Sequence, residues 1–435
     1  MECINGFSRI SPATIIAATE KSGTPAYLYD ESTMIDKCRA LTSIPNAFGL
    51  TVRYAMKANS NRSILRIIKE QGLSFDASSL NEVRRALLAG IDCGDIILTA
   101  QEVHTGDDLR ALESFIRKGL KFNVCSLRQL RMIGDFVAAN GARLAIRLHP
   151  GVGSGETASR NTGDKYSCFG VHLADVEQAL CYASEKKIIF DHVHIHIGSG
   201  ADPKIWRDNI DLELSLIEKS FPHAETVSFG GGLKEARMPG ETSTDIQDLS
   251  AHAKLRIEDF YRRTGRKLKM EIEPGTFLMA NAGYAITKVF DKKNTGSDGL
   301  NFIITDGGME INARPLFYGA VHPFYIVSRT GQLLSSEFLP GVQQTDFEAA
   351  IVGKCCESGD SQCLNEDGQC IARRMAEPDL DDFVVIGGAG AYCSAMAPMN
   401  YNSHTQIPEL LLTERGELVE IRRRQTLEQL LENEL

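Results

Sequence analysis

A lysine closes an apolar, β-favouring run in this sequence, and a polar loop follows it directly. The run is Thr51-Val52-Arg53-Tyr54-Ala55-Met56-Lys57. This order predicts that Lys57 lies at the mouth of a strand rather than on a solvated helix face. An amine in that position can attack a carbonyl carbon. Most lysines are solvated surface charges, so the interpretation depends on the motifs that follow.

A histidine motif and a glycine motif come later in the chain. In His194-Ile195-His196-Ile197-Gly198-Ser199 the two histidines share one face of a strand, Gly198 allows a close turn, and Ser199 offers a hydroxyl. A pair of core histidines is the plain alternative. A metal pair is a third option, although no further ligand lies nearby in sequence. Gly230-Gly231-Gly232 follows another strand, where successive N–H groups can cradle a phosphate.

Two acidic motifs could move or hold protons. Glu271-Ile272-Glu273-Pro274-Gly275 places two carboxylates on one side of a strand end. A buried Glu273 needs a positive partner, which a protonated pyridine nitrogen would supply; otherwise it is a solvated turn residue. The run from Cys355 to Asp360, Cys-Cys-Glu-Ser-Gly-Asp, suits proton delivery and recognition of an amino group. Arg314 and Tyr318 offer a guanidinium and a phenol to a carboxylate, unless Arg314 is an ordinary surface arginine.

These motifs occur in the order that one cofactor site would need. They predict that Lys57 forms a Schiff base with pyridoxal 5'-phosphate. The net charge of −10 argues against a nucleic-acid partner. The N-terminus lacks a signal-like pattern and no stretch is long enough to span a bilayer, so we expect a cytoplasmic protein. The 11 cysteines include no Cys-x-x-Cys pair, which favours reduced thiols over disulfides or zinc.

The 435 residues are enough for two domains, and the periodicity of the sequence separates them. Up to about residue 280, eight apolar strand candidates alternate with helical patterns, which predicts an α/β fold with a parallel (β/α)8 TIM barrel over residues 31–280. The candidates end near Tyr54 and Asp76 or span residues 96–100, 121–124, 144–148, 193–197, 227–230 and 268–272.

The position of the polar residues agrees with a barrel, because active sites of such barrels collect at the carboxyl ends of the strands. Lys57, Asp76, Arg147, His196, Gly230 to Gly232 and Glu273 each follow or close a strand candidate. Beyond residue 280 short β-rich runs, among them 284–290 and 410–422, predict an all-β domain of barrel or sandwich type. We expect it to comprise residues 1–30 and 281–435, with a loop at 291–299.

With these motifs the sequence resembles the fold-type III pyridoxal-phosphate decarboxylases, and among them the diaminopimelate decarboxylases. The resemblance extends from Thr24-Pro25-Ala26-Tyr27 to Arg422-Arg423-Arg424-Gln425-Thr426. It implies an alanine-racemase-like barrel, in which Lys57 carries the cofactor, His196 stacks on its ring and Glu273 pairs with the pyridine nitrogen. It also implies a cofactor site completed by Asp76, Ser199, Gly230, Gly231, Gly232, Gly275, Thr276 and Tyr392.

The resemblance further implies the substrate, the reaction and the assembly. Arg314 and Tyr318 match positions that hold a distal carboxylate, and Tyr392 reaches the substrate as well as the phosphate. Cys356 and Glu357 would enter the neighbouring subunit's site in a homodimer, with Cys356 as the proton donor. The implied reaction is decarboxylation of meso-2,6-diaminopimelate to L-lysine, the last step of lysine biosynthesis, without a metal.

One residue departs from the family pattern. Where the family has Glu-Pro-Gly-Arg, this chain has Thr276, and a hydroxyl cannot replace the charge of a guanidinium. Either another cation takes over, or the substrate is a different carboxylated amine, such as a siderophore or polyamine precursor. A racemase on a related barrel and a cofactor-free regulatory relative are further alternatives. The Cys355 to Asp360 run argues against the racemase, and Lys57, His196 and Glu273 argue against the regulatory relative.

Overall fold

The structure is a computed structural model that describes residues 3–141, 143–153, 161–200, 202–339, 341–342 and 347–435. The chain divides into two compact units. We call Lys37–Lys234 together with Thr242–Phe277 the barrel unit, and Met1–Asp36, Glu235–Glu241 and Leu278–Leu435 the β unit. No helix among the described residues is both long and apolar enough to cross a membrane.

The first part of the chain alternates strands and helices. Its elements are α1 (Pro12–Ser22), β1 (Ala26–Asp30), α2 (Glu31–Thr42), β2 (Leu50–Ala55), α3 (Arg62–Glu70), β3 (Ser74–Ala77), α4 (Leu80–Leu88), β4 (Ile96–Leu98), α5 (Asp107–Arg117), β5 (Lys121–Val124), α6 (Leu127–Asn140), β6 (Arg143–His149), β7 (Val171–His172), α7 (Val176–Lys186), β8 (Ile189–Ile195), α8 (Pro203–Ser220), β9 (Thr226–Ser228), α9 (Ile246–Thr264) and β10 (Lys269–Ile272).

Eight of these strands close into a parallel barrel, as the sequence predicts. Their order is β5-β4-β3-β2-β10-β9-β8-β6, and a further β5–β6 pairing completes the ring. Strand β8 begins at Ile189 rather than at Val193, because Asp191 and His192 interrupt the apolar pattern and are nevertheless buried. Strands buried on both faces give the near-continuous apolar runs from which the barrel is predicted.

Side-chain caps start several barrel helices and thereby fix where each strand-to-helix loop ends. Ser79, Ser126 and Asn61 each accept a hydrogen bond from a backbone N–H in the first turn of α4, α6 and α3. At Ser79 only one of the two hydrogen bonds of a capping box forms. The Ser79 hydroxyl accepts from Glu82 N at 3.1 Å, but the Glu82 carboxylate accepts from Ser78 N at 2.7 Å instead of from Ser79 N.

The second part of the chain is mostly strand. Its elements are α10 (Thr276–Met279), β11 (Gly283–Asn294), β12 (Asn301–Thr305), α11 (Arg314–Tyr318), β13 (Phe324–Val327), β14 (Leu333–Ser336), β15 (Glu348–Val352), β16 (Arg373–Arg374), β17 (Phe383–Ile386), β18 (Glu409–Leu412), β19 (Leu418–Arg422) and α12 (Leu427–Leu430). The sheet runs β14-β13-β17-β11-β1-β18-β19, with β12, β15 and β16 attached through β11.

The β unit confirms an all-β second fold and corrects two details. The loop predicted at 291–299 is wrong in its first part, because β11 continues to Asn294 and pairs with β12 beyond a bulge between Val289 and Asp291. The run 410–422 is a hairpin of β18 and β19 rather than one stretch. Leu28, Tyr284, Tyr325, Val385 and Leu410 belong to the core cluster of this sheet.

Candidate active site

Lys57 lies in a short turn that is anchored on both sides. Strand β2 ends at Ala55, and Met56–Ala58 form one turn of 3-10 helix. Met56 and Ala58 are buried, whereas Lys57 is exposed in the single chain. The Tyr54 hydroxyl donates to Asn59 O at 2.9 Å and Ala55 N donates to Pro274 O at 3.1 Å. The turn therefore presents the lysine from a fixed backbone at the carboxyl end of β2.

Two histidine–glutamate pairs stack inside the barrel below this turn. His192 Nε2 lies 3.3 Å from Glu271 Oε1, and His194 Nε2 lies 3.3 Å from Glu273 Oε2. The shared face of Glu271 and Glu273 was predicted, and the pairing follows from the two-residue period of β8 and β10. Arg53, which the sequence did not single out, donates from Nε to Glu271 Oε2 at 2.7 Å.

An asparagine sets the tautomer of His194. The Asn123 amide nitrogen lies 2.8 Å from His194 Nδ1 and 3.2 Å from Thr99 Oγ1. An amide NH2 group only donates, so His194 Nδ1 accepts and the ring proton is on Nε2, facing Glu273. Sequence reasoning missed Asn123, although a polar residue within the apolar strand β5 is a signal that could have found it.

Glu273 is the ionised acid of the site. Burial acts to raise its pKa, but the adjacent His194 lowers it, and the net pKa lies well below the ordinary value. The Ser228 hydroxyl lies 3.2 Å from Glu273 Oε1 and donates to it. Asp76 behaves in the opposite way, because burial and the negative charge of Glu273 raise its pKa although Lys57 opposes them. Near Lys57 the barrel thus holds Glu273, whose pKa is lowered, and Asp76, whose pKa is raised.

The glycine motif at residues 230–232 packs closely against the histidine motif at residues 194–199. A side chain at Gly230 would place its Cβ 2.8 Å from His196 Cβ, and one at Gly232 would lie 1.9 Å from Gly198 O. Both glycines have positive φ angles, +69° and +91°. Gly231 is equally constrained, since a Cβ there would lie 2.3 Å from Glu273 O. Gly198, Ser199 and the three glycines therefore form a cradle of backbone beside Glu273.

His196 itself is a neutral imidazole. Burial lowers its pKa well below the ordinary value, and the positive charges of Arg147 and Lys57 lower it further. Its carbonyl oxygen accepts from the Thr162 hydroxyl at 3.2 Å, which fixes the backbone at the end of β8. A neutral, flat ring in this place can stack on an aromatic ligand. Gly275, which is buried, and Thr276, the first residue of α10, follow Glu273 directly.

The β unit holds the other predicted residues in two groups. In the first group, Cys356 and Glu357 are exposed on the loop after β15. Cys356 N donates to Asn402 Oδ1 at 2.8 Å, and the Tyr401 hydroxyl donates to Glu357 Oε2 at 3.0 Å. The hydrogen bond from Tyr401 lowers the pKa of Glu357, so this carboxylate is held charged at the surface.

The buried side chain of Asp360 fixes the shape of the loop that carries Cys356 and Glu357. Its Oδ1 accepts from Met309 N at 2.5 Å and its Oδ2 accepts from Cys355 N at 2.6 Å. Two glycines leave the space for it, because a Cβ at Gly308 would lie 1.9 Å from Oδ1 and one at Gly353 would lie 2.5 Å from both oxygens. Burial raises the pKa of Asp360, and the two N–H donors oppose that rise.

The second group contains the predicted carboxylate ligands. Arg314 begins α11 and is buried, and its guanidinium carbon lies 5.7 Å from the centre of the Tyr318 ring. Tyr392 has a φ angle of +61°, which is uncommon for a residue other than glycine and marks a strained turn after β17. The structure thus groups Lys57, Asp76, His196, Ser199, Gly230 to Gly232 and Glu273 in the barrel unit, and Arg314, Tyr318, Cys356, Glu357 and Tyr392 in the β unit.

Comparison with known proteins assigns the family. Residues 34–280 match the family described as pyridoxal-dependent decarboxylase, pyridoxal binding domain. The chain belongs to the pyridoxal-dependent decarboxylase family. The diaminopimelate decarboxylase of Escherichia coli K12 is 33% identical over 417 residues, which cover 95% of this chain and 94% of that protein. The crystal structure of a diaminopimelate decarboxylase superposes with a TM-score of 0.88 at 30% identity, covering 100% and 99% of the two chains.

A third relative is a member of the family with a bound amino acid. The diaminopimelate decarboxylase of Helicobacter pylori, solved in complex with L-lysine, has a TM-score of 0.78 at 26% identity. It covers 96% of this chain and 98% of its own. These likenesses extend through both units, so the family resemblance includes the β unit as well as the matched residues 34–280.

The cofactor of a pyridoxal-dependent decarboxylase is pyridoxal phosphate, and the residues of the barrel unit fit it. Among the described residues, the buried polar atoms that lack a hydrogen-bond partner include Asp76 Oδ1, Arg147 Nε and His196 Nδ1. Such atoms are costly to leave unsatisfied, so they favour a polar ligand beside them. The glycine cradle suits a phosphate, and the ionised Glu273 suits a cationic pyridine nitrogen.

Proposed function

We propose that this chain decarboxylates meso-2,6-diaminopimelate to L-lysine, the last step of lysine biosynthesis. The observation that carries the proposal is the buried, ionised Glu273, held by His194 and Ser228 beside the glycine cradle. Bound pyridoxal phosphate supplies an electron sink for the pair left behind when the α-carboxylate departs as carbon dioxide. The relatives named diaminopimelate decarboxylase support the choice of substrate.

Each residue has a role that its position supports. Lys57 holds the cofactor, Glu273 keeps the pyridine nitrogen protonated, and His196 stacks on the ring. Asp76, Ser199, Gly230 to Gly232, Gly275, Thr276 and Tyr392 position the cofactor. Arg314, with Tyr318 beside it, binds the distal carboxylate. Glu357, charged and exposed, binds the distal ammonium group, and Cys356 donates a proton to the substrate α-carbon.

The substrate is tested directly. Purified holoenzyme incubated with meso-2,6-diaminopimelate should release carbon dioxide and L-lysine in equal amounts, measured by gas capture and chiral chromatography. Turnover of another carboxylated amine in the same panel, with meso-diaminopimelate left unchanged, would overturn this choice. Thr276 is the one observation that favours that second candidate, because the family arginine is missing there.

The site would be shared between two copies of the chain. Cys356 and Glu357 are exposed, and apolar side chains are exposed on the same unit: Leu316 at 40%, Phe317 at 50% and Met399 at 66%. Leu316 belongs to the Cys356 loop region, since a Cβ on Gly359 would lie 2.7 Å from it. Exposed apolar groups around functional residues favour an interface, and a homodimer is the commonest assembly.

Mixing two inactive variants tests the shared site. Lys57→Ala and Cys356→Ala chains, each strongly impaired alone, should recover about one quarter of wild-type activity when exchanged in equal amounts, because half of the dimers then carry one intact site. Decarboxylation is measured after subunit exchange, with the dimer verified by light scattering.

The matched control pairs Cys356→Ala with the double variant Lys57→Ala/Cys356→Ala, which offers no intact combination. Recovery in the control, or none in the first mixture despite confirmed mixed dimers, would refute the sharing of Cys356.

A further inference from the structure

A thiol and two carboxyl groups meet next to the loop that carries Cys356. One sulfur or oxygen atom from each of Glu310, Cys355 and Asp360 lies within 4.8 Å of the other two. All three residues are buried, and all three belong to the β unit. Their spacing in the sequence does not indicate this cluster, because Glu310 lies 45 positions before Cys355. The three groups therefore come together only in the folded chain.

The contacts inside the cluster leave coordinating atoms available. The Cys355 thiol lies 3.5 Å from Glu310 Oε2, and Gly308 N donates to the same oxygen at 2.8 Å. Glu310 Oε1 has no hydrogen-bond partner among the described residues, although the Glu310 side chain is only 5% exposed. Each oxygen of Asp360 accepts one N–H, which leaves each with a second lone pair. A ligand that binds lone pairs would satisfy these atoms.

The charges around the cluster favour a bound cation. Lys354 Nζ lies 3.7 Å from Glu310 Oε1, so it balances one negative charge without donating a hydrogen bond to that oxygen. Burial raises the pKa of the Cys355 thiol well above its ordinary value, and the charges of Glu310 and Asp360 raise it further. A divalent cation bound to both carboxylates and to a Cys355 thiolate would, together with Lys354, bring the net charge of the cluster to zero.

The atom types and their spacing fit zinc. In a tetrahedral site with a Zn–S distance of about 2.3 Å and a Zn–O distance of about 2.1 Å, a sulfur and an oxygen ligand lie about 3.6 Å apart. The 3.5 Å between Cys355 Sγ and Glu310 Oε2 matches this separation. A thiolate favours zinc over Ca²⁺ and Mg²⁺, which prefer oxygen ligands. Such a site needs no Cys-x-x-Cys pair, since carboxylates also bind zinc.

A cavity of the β unit reaches the cluster. Glu310 lines this cavity together with His404, Thr405 and Gln406. Burial lowers the pKa of His404, the positive charge of Lys354 lowers it further, and Glu310 opposes both effects. At pH 7 His404 is therefore mainly a neutral imidazole, which does not repel a metal ion. The cavity supplies the entry path that a metal site requires.

We propose that Glu310, Cys355 and Asp360 bind a thiophilic divalent cation such as Zn²⁺, with the Cys355 sulfur bound as the thiolate. On binding, the S–H bond breaks, its electron pair forms the bond from sulfur to the metal, and the proton leaves to solvent without any redox change. The metal would tie the Cys356 loop to the segment after β12 and would take no part in decarboxylation. The site therefore goes beyond the proposed function and does not depend on the choice of amino-acid substrate.

Zinc binding is measured on the full-length holoenzyme with Zn²⁺ itself as the probe. After incubation with zinc chloride and exhaustive dialysis, elemental analysis should find one zinc per chain. Competition with a chromophoric chelator gives the dissociation constant. Cys355→Ser and Glu310→Gln should each raise that constant at least about 100-fold, because each removes a direct ligand and loss of an outer-shell partner alone costs 10- to 100-fold. Circular dichroism verifies that each variant folds.

Two other cysteines provide matched controls. Cys181→Ser removes an exposed thiol of the barrel unit, and Cys356→Ser removes the exposed neighbour of Cys355. Both variants should keep the dissociation constant of the wild-type protein for Zn²⁺. Weaker binding in Cys356→Ser, together with wild-type binding in Cys355→Ser, would assign the metal to the exposed thiol and overturn the proposal.

The pH dependence of binding tests the proposal on the unaltered protein. Because one proton leaves when the Cys355 thiolate forms, affinity for Zn²⁺ should rise at least about tenfold between about pH 7 and pH 8. The titratable groups near the thiol and its two carboxyl neighbours include Glu310, Asp360, Lys354, His404 and Tyr401. An affinity independent of pH, or no more zinc in wild-type protein than in Cys355→Ser, would overturn the proposal. These readouts are metal content and affinity, so a failure of decarboxylation would leave them unaffected.

Discussion

Replacing Lys57 with alanine is expected to lower the decarboxylation rate by at least about 10⁴-fold. The physical reason is that Lys57 is the amine presented by the anchored turn after β2, with Asp76, Glu82 and His196 in its electrostatic surroundings. The variant should also lose the long-wavelength absorbance that covalently attached pyridoxal phosphate gives. Both are measured on the purified protein, by product formation and by spectrophotometry.

The control for Lys57 is a lysine of the same unit that touches nothing in the site. Lys219, exposed in the last turn of α8, should tolerate replacement by alanine with unchanged rate and spectrum. Borohydride reduction followed by peptide mapping should place the pyridoxyl group on Lys57 in the wild-type protein. Retained turnover in Lys57→Ala, or a pyridoxyl group found elsewhere, would remove the basis of the proposed function.

Glu273→Gln is expected to produce the second large loss, about 10²- to 10⁴-fold in kcat. The range corresponds to about 3 to 5 kcal/mol for removing one member of a buried ion pair, converted into a rate. In the proposed function the ionised Glu273 keeps the pyridine nitrogen protonated, and a neutral glutamine could not do so. The rate is measured under saturating cofactor, so that weaker cofactor binding does not account for the loss.

Asp76→Asn is the informative comparison for Glu273. Burial and the charge of Glu273 raise the pKa of Asp76 and so favour its neutral form, which an uncharged amide resembles. Its replacement should therefore reduce kcat less than Glu273→Gln does. If the two variants lose equal activity, the opposite pKa shifts assigned to these two carboxyl groups are wrong.

Much of the barrel was predictable because its strands are buried on both faces. Mostly apolar runs such as residues 144–148 stand out from the helical patterns between them. The ends of these strands then indicate Lys57 and Glu273 as site residues. The common side of Glu271 and Glu273 also followed from strand geometry alone. The histidine partners did not, because which side chains of β8 and β10 meet across β9 depends on the register of the strands around the ring, and the period of each strand alone does not give that register.

Residues whose partners are far away in the sequence were difficult to predict from local sequence patterns. Asn123 and Arg53 lie in strands whose neighbours in sequence are apolar, and only closure of the barrel brings them to His194 and Glu271. Likewise, the hydrogen bond from Arg237 Nε to Gly388 O joins residues that lie 151 positions apart in the chain. The hydrophobic periodicity of a sequence indicates which face of one helix or strand is buried, but it does not predict contacts between distant parts of the chain.

Asp360 lies in a niche that two glycines leave open, and this bears on how the proposed homodimer would dissociate and form again. Since the two backbone groups that Asp360 binds belong to the same chain, the shape of the Cys356 loop would be set before a second copy binds. Dissociated subunits should therefore keep this loop folded and remain able to form the dimer again. The rate of reassociation should be limited by collision between subunits rather than by refolding. Dilution would then inactivate the enzyme reversibly. After the protein is concentrated again, activity would recover with second-order kinetics in subunit concentration.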